Sequence, residues 1–489
     1  SLIEDKTFKN CSNISGDILL NSEIKSIGNE AFYNCASIDG DIFLGFDLNY
    51  IGDYAFYNCQ NATSDLEIPS SVIYVGDYAY YNCSSLDGQF INSERIQYIG
   101  NSAFENCSSM TGSLILPETV TYLGSGAFKN CKNLNSILDF DLAQIDNVYY
   151  QTFFGCSGLQ GDLVIPDRIL SIGDEAFLGC DNLNGSITIT NIASQNIGAN
   201  AFNSPLTFDE LIVSDFVRNI SQYEFDYFKN DTLYLTLQAG LEVVSGYSFS
   251  NYNFIGDLEL PRTLSYIGDG AFSGCVGFAG TYLFESSQVT YIGDGAFYNL
   301  SSINGNIALE DSLLKIGDNA FYNNTSIDGY ITFGSSINEI GEYAFYNCFN
   351  ATGPLLIPDS VSELGKSAFE NCSSLSGAIS LPNNSGYTAV ETATFKNCAG
   401  LSGDLLVHDY ITQVKQDAFA NCSNLDGDIT ITDICASTLT NAFDQSPFYR
   451  LIISDSVTNI ENAEFDYFAS RQMEVVFQEG LSGILDNAF

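Results

Sequence analysis

Tyr50-Ile51-Gly52-Asp53-Tyr54-Ala55-Phe56-Tyr57-Asn58-Cys59 decides the fold, because close copies return at Tyr74 to Cys83 and at Glu339 to Cys348. Aligned on its aromatic, the unit gives Phe8, Phe32, Phe56, Tyr80, Phe104, Phe128, Phe153, Phe177, Phe202, Phe225, Phe249, Phe272, Phe297, Phe321, Phe345, Phe369, Phe395, Phe419, Phe443, Phe465 and Phe489. Successive members lie about 24 residues apart, within the range of periods that build solenoids. A chain of 489 residues would ordinarily suggest several globular domains, but a period that never lapses predicts one elongated solenoid over 1–489. It would hold about twenty coils.

One coil shows how the pattern makes structure. Between Phe104 and Phe128, Met110, Leu114 and Leu116 alternate with solvent-tolerant neighbours before Pro117 ends the run. That predicts a short strand with Leu114 and Leu116 inward. Val120 and Leu123 supply a second apolar pair, Gly124 permits a tight corner, and Ala127-Phe128 point into the core. A single coil has too little core to fold, whereas stacking turns the Leu, Ile, Phe and Cys positions into continuous columns.

The cysteines belong to the same pattern. Thirteen of the 14 stand three residues after the key aromatic, from Cys11 to Cys422, and only Cys435 lies elsewhere. Stacked coils would hold these thiols about 5 Å apart with their side chains parallel, poor geometry for a bridge. The same position holds Leu300, Phe228 or Phe468 in other coils, and no C-x-x-C pairs occur. Buried, reduced, small apolar fillers are the expected role.

With 60 acidic residues against 16 basic, the formal charge is -44, which disfavours nucleic acid and anionic membrane surfaces and favours cations and basic partners. A 45% apolar content is too high for disorder, and no apolar run is long enough to cross a bilayer as a helix. The chain opens with neither Met nor a signal peptide, so targeting information is expected outside this segment. It also enters in mid-coil at Ser1-Leu2-Ile3 and leaves on Phe489, which predicts a stretch of a longer array.

The succession Ile-Pro, Val-x-x-Ile-Gly, Ala-Phe-x-x-Cys-x-x-Leu resembles the BspA-like class of leucine-rich repeats found on surfaces of bacteria and parasitic protists. Phe56 to Phe128 and Phe345 to Phe369 match it most closely. The chain departs from it in one systematic way, an extra residue with Gly, as at Gly88, Gly40, Gly112, Gly161, Gly185, Gly305, Gly329, Gly377, Gly403 and Gly427. The resemblance implies a leucine-rich-repeat solenoid: a curved right-handed superhelix with a parallel β-sheet on its concave face and short strands or helical turns on the convex side. It implies adhesion or protein binding rather than catalysis, and an extracellular or cell-surface location.

A longer repeat overlies the first. Glu224-Phe225-Asp226-Tyr227-Phe228 recurs at Glu464-Phe465-Asp466-Tyr467-Phe468, about ten coils later, which divides the chain into blocks 1–240 and 241–489. These irregular coils are either tolerated kinks or a contact surface presented once per block. In the second case Phe225, Tyr227, Phe228, Phe465, Tyr467 and Phe468 are contact candidates.

Catalytic patterns are missing. His408 is the only His and replaces the Pro of other coils, and no phosphate-binding loop, zinc-protease motif or EF-hand loop occurs. No enzyme and no organic cofactor is expected. Two carboxylate columns are candidate weak Ca²⁺ sites, because a divalent cation relieves repulsion between stacked carboxylates: Asp17, Asp41 and Asp65 with Asp404 and Asp428, and Asp269, Asp294 and Asp318. The alternative is a solvated acidic face. Tyr33, Tyr57 and Tyr81, with Tyr298, Tyr322 and Tyr346, form ladders that either stack between coils or offer an aromatic contact surface. N-x-S/T triplets at Asn61, Asn82, Asn106, Asn219, Asn230, Asn350, Asn371 and Asn421 allow N-glycans, although Asn-Cys-Ser is partly the repeat itself. The pattern predicts a non-enzymatic structural or adhesive protein, self-associating as part of a fibre-forming array. A receptor-like domain gripping one soluble partner is the alternative.

Overall fold

The computed structural model describes residues 1–63, 68–88, 94–190, 194–203, 207–283, 288–432, 441–457, 459–460, 468 and 472–484. The described residues fall into two compact units, Ser1–Phe216 and Val217–Phe489, each a parallel β-solenoid.

Each regular coil contributes two short strands. In the first unit Leu114–Ile115 pairs in parallel with Leu138–Asp139, the strand expected from the Leu-x-Leu alternation, and Leu114 and Leu116 are buried. The Val-x-x-Ile-Gly step, expected as a corner, holds a second strand. Its line is the more continuous: Leu2–Ile3, Ser26–Ile27, Tyr50–Ile51, Tyr74–Val75, Tyr98–Ile99 and Tyr122–Leu123 form one six-stranded parallel sheet. In the second unit the same line runs through seven strands, Asn219–Ile220, Val243–Val244, Tyr266–Ile267, Tyr291–Ile292, Lys315–Ile316, Glu339–Ile340 and Glu363–Leu364.

The glycine that follows this strand is required by proximity. A Cβ on Gly124 would stand 2.5 Å from the amide nitrogen of Asn101 in the preceding coil, and its φ is not left-handed. The glycine of the extra-residue column has the other reason at Gly161, whose φ is +86°.

The segment around the key aromatic stacks by a third ladder. The amides of Glu30, Phe32 and Asn34 donate to the carbonyls of Asp53, Ala55 and Tyr57 in the next coil at 2.8, 2.7 and 2.7 Å. Between these bonds the chain turns on itself, with Tyr33 N–H donating to Glu30 O and Cys35 N–H to Phe32 O. Glu30 and Asn34 hold φ of 54° and 57°, and the left-handed conformation recurs at the same two positions coil after coil. Asn tolerates it better than most residues, which accounts for its place before the cysteine. The helical turns implied for this side are therefore a hydrogen-bonded turn ladder; 3₁₀ segments occur at Ser194–Asn196 and Asp226–Phe228.

Inside runs the aromatic column. Phe32 and Phe56 stack at 5.1 Å with planes 1° apart, and Phe321, Phe345 and Phe369 at 5.0 and 5.2 Å. Ile27, Ile51, Val75, Ile99 and Leu123 line one side of it, all fully buried.

The described cysteines from Cys35 to Cys422 are buried, as expected, but they do more than fill space. Cys83 Sγ donates to Phe56 O at 3.0 Å, Cys107 Sγ to Tyr80 O at 3.1 Å, and Cys372 Sγ to Phe345 O at 3.1 Å. In two of the coils where the cysteine is replaced the bond is kept: Asn324 Nδ2 donates to Phe297 O at 2.9 Å and Ser446 Oγ to Phe419 O at 2.7 Å. In these coils the position supplies a small buried donor to the carbonyl of the key aromatic one coil back. Cys435 lies outside the described residues.

Candidate functional site

The outward positions of the long sheets are where the two units differ chemically. In the first unit the strand residue beside four successive buried aliphatics is Tyr50, Tyr74, Tyr98 and Tyr122, in register with one another. Their rings stack face to face at 4.7, 4.6 and 4.6 Å with planes 7–8° apart. Register forces this, because parallel strands set their side chains one inter-strand spacing apart. Burial, then Asp77, pushes the Tyr98 hydroxyl up to about 12; burial, then Asp53, pushes the Tyr74 hydroxyl further. Both stay neutral at physiological pH.

Beside the column runs a line of side-chain oxygens. Asp5, Asn29, Asp53 and Asp77 each accept, through Oδ1, the backbone amide 24 residues on, at 2.7–2.9 Å. On its far side Tyr54 stacks on Tyr78 at 4.9 Å, and Tyr33, Tyr57 and Tyr81 stack at 4.8 Å. The face thus presents hydroxyls and carboxylates, with its ring faces largely covered by each other.

In the second unit Tyr266 and Tyr291 begin the same column at 4.8 Å, but Lys315, Glu339 and Glu363 continue it. Lys315 Nζ lies 2.6 Å from Glu339 Oε1. A groove over these strands carries six carboxylates, from Asp294, Asp318, Glu339, Glu342, Glu363 and Glu391, against Lys315 and Lys366.

Five of the carboxylates expected to attract cations accept a backbone amide. Asp17 Oδ1 accepts Asp41 N–H at 2.9 Å, and Asp404 Oδ1 accepts Asp428 N–H at 2.8 Å. Asp269, Asp294 and Asp318 accept the amides of Asp294, Asp318 and Glu342 at 2.9, 2.8 and 2.7 Å. Asp428 also pairs with Arg450, which holds its carboxyl below the usual range. Stacked carboxylates here serve as caps for the next coil's amide. Among the described residues no three His, Cys, Asp or Glu side chains group to hold a metal ion; Asp65 lies outside them.

Three of the contact candidates of the irregular coils are buried. Phe225 and Phe228 are fully buried, and Phe468 is 4% exposed, because they fill the aromatic column and the cysteine position of their coils. Tyr227 is half-buried, its ring packed against Phe228; Phe465 and Tyr467 lie outside the described residues. Tyr322 stacks on Tyr298 and Tyr346 at 5.0 and 4.8 Å. His408 accepts Ile411 N–H on its carbonyl, as Pro117 accepts Val120 N–H, so it fills a turn position. Of the N-x-S/T asparagines, Asn82, Asn371 and Asn421 spend Nδ2 in a ladder with the preceding coil's asparagine, at 2.7–2.8 Å. Asn219 and Asn230 are exposed. Sequence reasoning missed the tyrosine column, whose signal was Tyr recurring immediately before Ile-Gly or its equivalent.

The BspA type leucine rich repeat region, in six copies, matches residues 1–135, 146–279, 290–426 and 388–489. The chain belongs to the BspA-type leucine-rich-repeat family. Similar solved structures include a leucine-rich repeat protein from Bacteroides ovatus, 20% identical over 90% of this chain and 92% of that one, with a TM-score of 0.33. A leucine rich cell surface protein from Faecalibacterium prausnitzii is 15% identical over 95% and 87%, with a TM-score of 0.22. The T. pallidum leucine rich repeat protein is 26% identical over 34% and 76%, at 0.28. No curated protein sequence matches the chain. Among the described residues no helix is long and apolar enough to cross a membrane.

Proposed function

We infer that this BspA-type repeat protein is a non-enzymatic cell-surface protein whose long sheet faces make adhesive protein–protein contacts. The observation that carries this reading is the outward side of the first unit's Tyr-bearing six-stranded sheet, where Tyr50, Tyr74, Tyr98 and Tyr122 stand in register beside carboxylates. Tyrosine combines a large rigid contact area with a hydroxyl at low entropic cost, which is why it concentrates at protein interfaces. Contacts repeated once per ten-coil block lose their best candidates with Phe225, Phe228 and Phe468 buried. The difference between the two sheet faces supports the second reading, a receptor-like grip on one partner.

Crosslinking on intact source cells with a lysine-reactive reagent, followed by peptide mapping, tests the proposal. Links from Lys25, Lys315 or Lys366 to peptides of other proteins are expected. A chain that surface-restricted labelling never reaches, and that crosslinks only within itself, overturns it.

A further inference from the structure

Four consecutive positions of the first unit's outward column carry phenols. Tyr50, Tyr74, Tyr98 and Tyr122 stand on four successive strands, paired residue for residue. Their rings lie 4.7, 4.6 and 4.6 Å apart and within 8° of parallel. In-register parallel strands relate like residues by one strand spacing, so the ortho carbons of each ring stand over those of the next and the hydroxyls point the same way. Tyr50 is 37% exposed and the other three are half-buried, which leaves the edges of the stack open to solvent while its faces are covered. Tyr223, Tyr247 and Tyr449 are more exposed, at 58%, 52% and 67%, but among the described residues no ring stacks on any of them.

We propose that this column is a site of oxidative cross-linking, where neighbouring tyrosines couple through their ortho carbons to dityrosine, with hydrogen peroxide as oxidant and a haem peroxidase as catalyst. Each of two neighbouring phenols gives up one electron and its hydroxyl proton. The two phenoxyl radicals join carbon to carbon; each ortho hydrogen then leaves as a proton and each oxygen takes one back, which restores both phenols. The two electrons and two protons released break the O–O bond of one hydrogen peroxide and leave two waters. Three features favour the column. Its partners are already in contact, and groups held in place react as if at concentrations no protein solution reaches. A radical on one ring can pass to the next by electron exchange across the stack, so two oxidations anywhere in the four rings can meet; the shorter Tyr298–Tyr322–Tyr346 stack offers fewer partners. Asp77 lies close enough to act on the Tyr98 hydroxyl, and Asp53 on that of Tyr74, so an acceptor for the departing proton is in place. Each link would tie one coil covalently to the next. The proposal needs no binding partner, so it stands or falls separately from the adhesive reading.

The test treats the full chain, at a dilution where chains seldom meet, with hydrogen peroxide and a haem peroxidase, and maps dityrosine-linked peptides by mass spectrometry. Links between Tyr50 and Tyr74, Tyr74 and Tyr98, and Tyr98 and Tyr122 are expected within single chains. Tyr74→Phe keeps a ring in the stack but removes its phenol, and an unchanged melting temperature checks its fold. In that variant Tyr50 should stay unlinked while the link between Tyr98 and Tyr122 persists. Coupling that follows exposure, joining Tyr223, Tyr247 and Tyr449 between chains while the register pairs stay unlinked, overturns the proposal. So does a Tyr50 that links to other tyrosines in Tyr74→Phe at the wild-type yield, because stacking would then not direct the coupling.

Discussion

Two sheets built on the same position carry opposite surfaces. Tyr50, Tyr74, Tyr98 and Tyr122 in the first unit, and Lys315, Glu339 and Glu363 in the second, all stand one residue before a buried aliphatic that faces the aromatic column. The buried partner hardly changes: Ile51, Val75, Ile99, Leu123, Ile316, Ile340 and Leu364 are each at most 2% exposed. The inward half of each strand fixes the fold, and the outward half is free to take stacked rings or ion pairs. Contact chemistry can therefore vary along a chain whose architecture does not.

Alkali should separate the two units most strongly. Burial pushes the thiols of Cys107 and Cys156 in the first unit, and of Cys275, Cys348 and Cys422 in the second, from 9.0 up to about 12. The folded value lies above the unfolded one, so each thiol's stabilising contribution is complete below pH 9 and is lost as pH climbs toward 12. The first unit holds the longer unbroken run, Cys35 to Cys180, and adds Tyr98, raised to about 12. Its peptides should become alkylation-sensitive at a lower pH than those of the second. Pulse alkylation with peptide mapping between pH 8 and 12 measures this; simultaneous labelling of both units would break the contrast.

Next in size is the shared core, where the units should agree. Phe56 and Phe345 are fully buried and each stacks on a ring above and below. Either Phe→Ala change is expected to cost about 3–5 kcal/mol in urea unfolding. A much smaller cost in one unit would show that its outward residues, too, determine packing.

The core was legible because burial repeats with the period: Leu114, Leu116, Val120, Leu123, Ala127 and Phe128, named from the alternation, are all buried. Short strands on a second side were implied by the family resemblance, but the alternation alone did not place Tyr122–Leu123, which at two residues is too short for a period-two test. The left-handed residues are invisible where the sequence has Tyr54 or Tyr78, which no conformational preference marks for positive φ. The candidate surface was half legible. Its tyrosines recur plainly, but whether they form a face depends on register, and whether Asp17 or Asp269 is free depends on where the next coil's amide falls.

The smallest effect comes from exchanging the surfaces. Lys315→Tyr with Glu339→Tyr extends the Tyr266–Tyr291 stack across the positions where the second unit turns charged. It removes the Lys315–Glu339 ion pair, whose side chains are 36% and 28% exposed, a contact worth roughly 0.2–1 kcal/mol. It adds two ring contacts worth roughly 0.5–1.5 kcal/mol each at full strength and less on an open face. The two nearly cancel, leaving the variant more stable by about 1 kcal/mol or less. Its stability should also depend less on NaCl concentration, because the contact removed is screened by salt and the contacts added are not. Urea titrations at low and high NaCl measure both quantities. A loss above about 2 kcal/mol would mean that the outward position carries packing of its own, and the division of each strand into a fixed inner and a free outer half would fail.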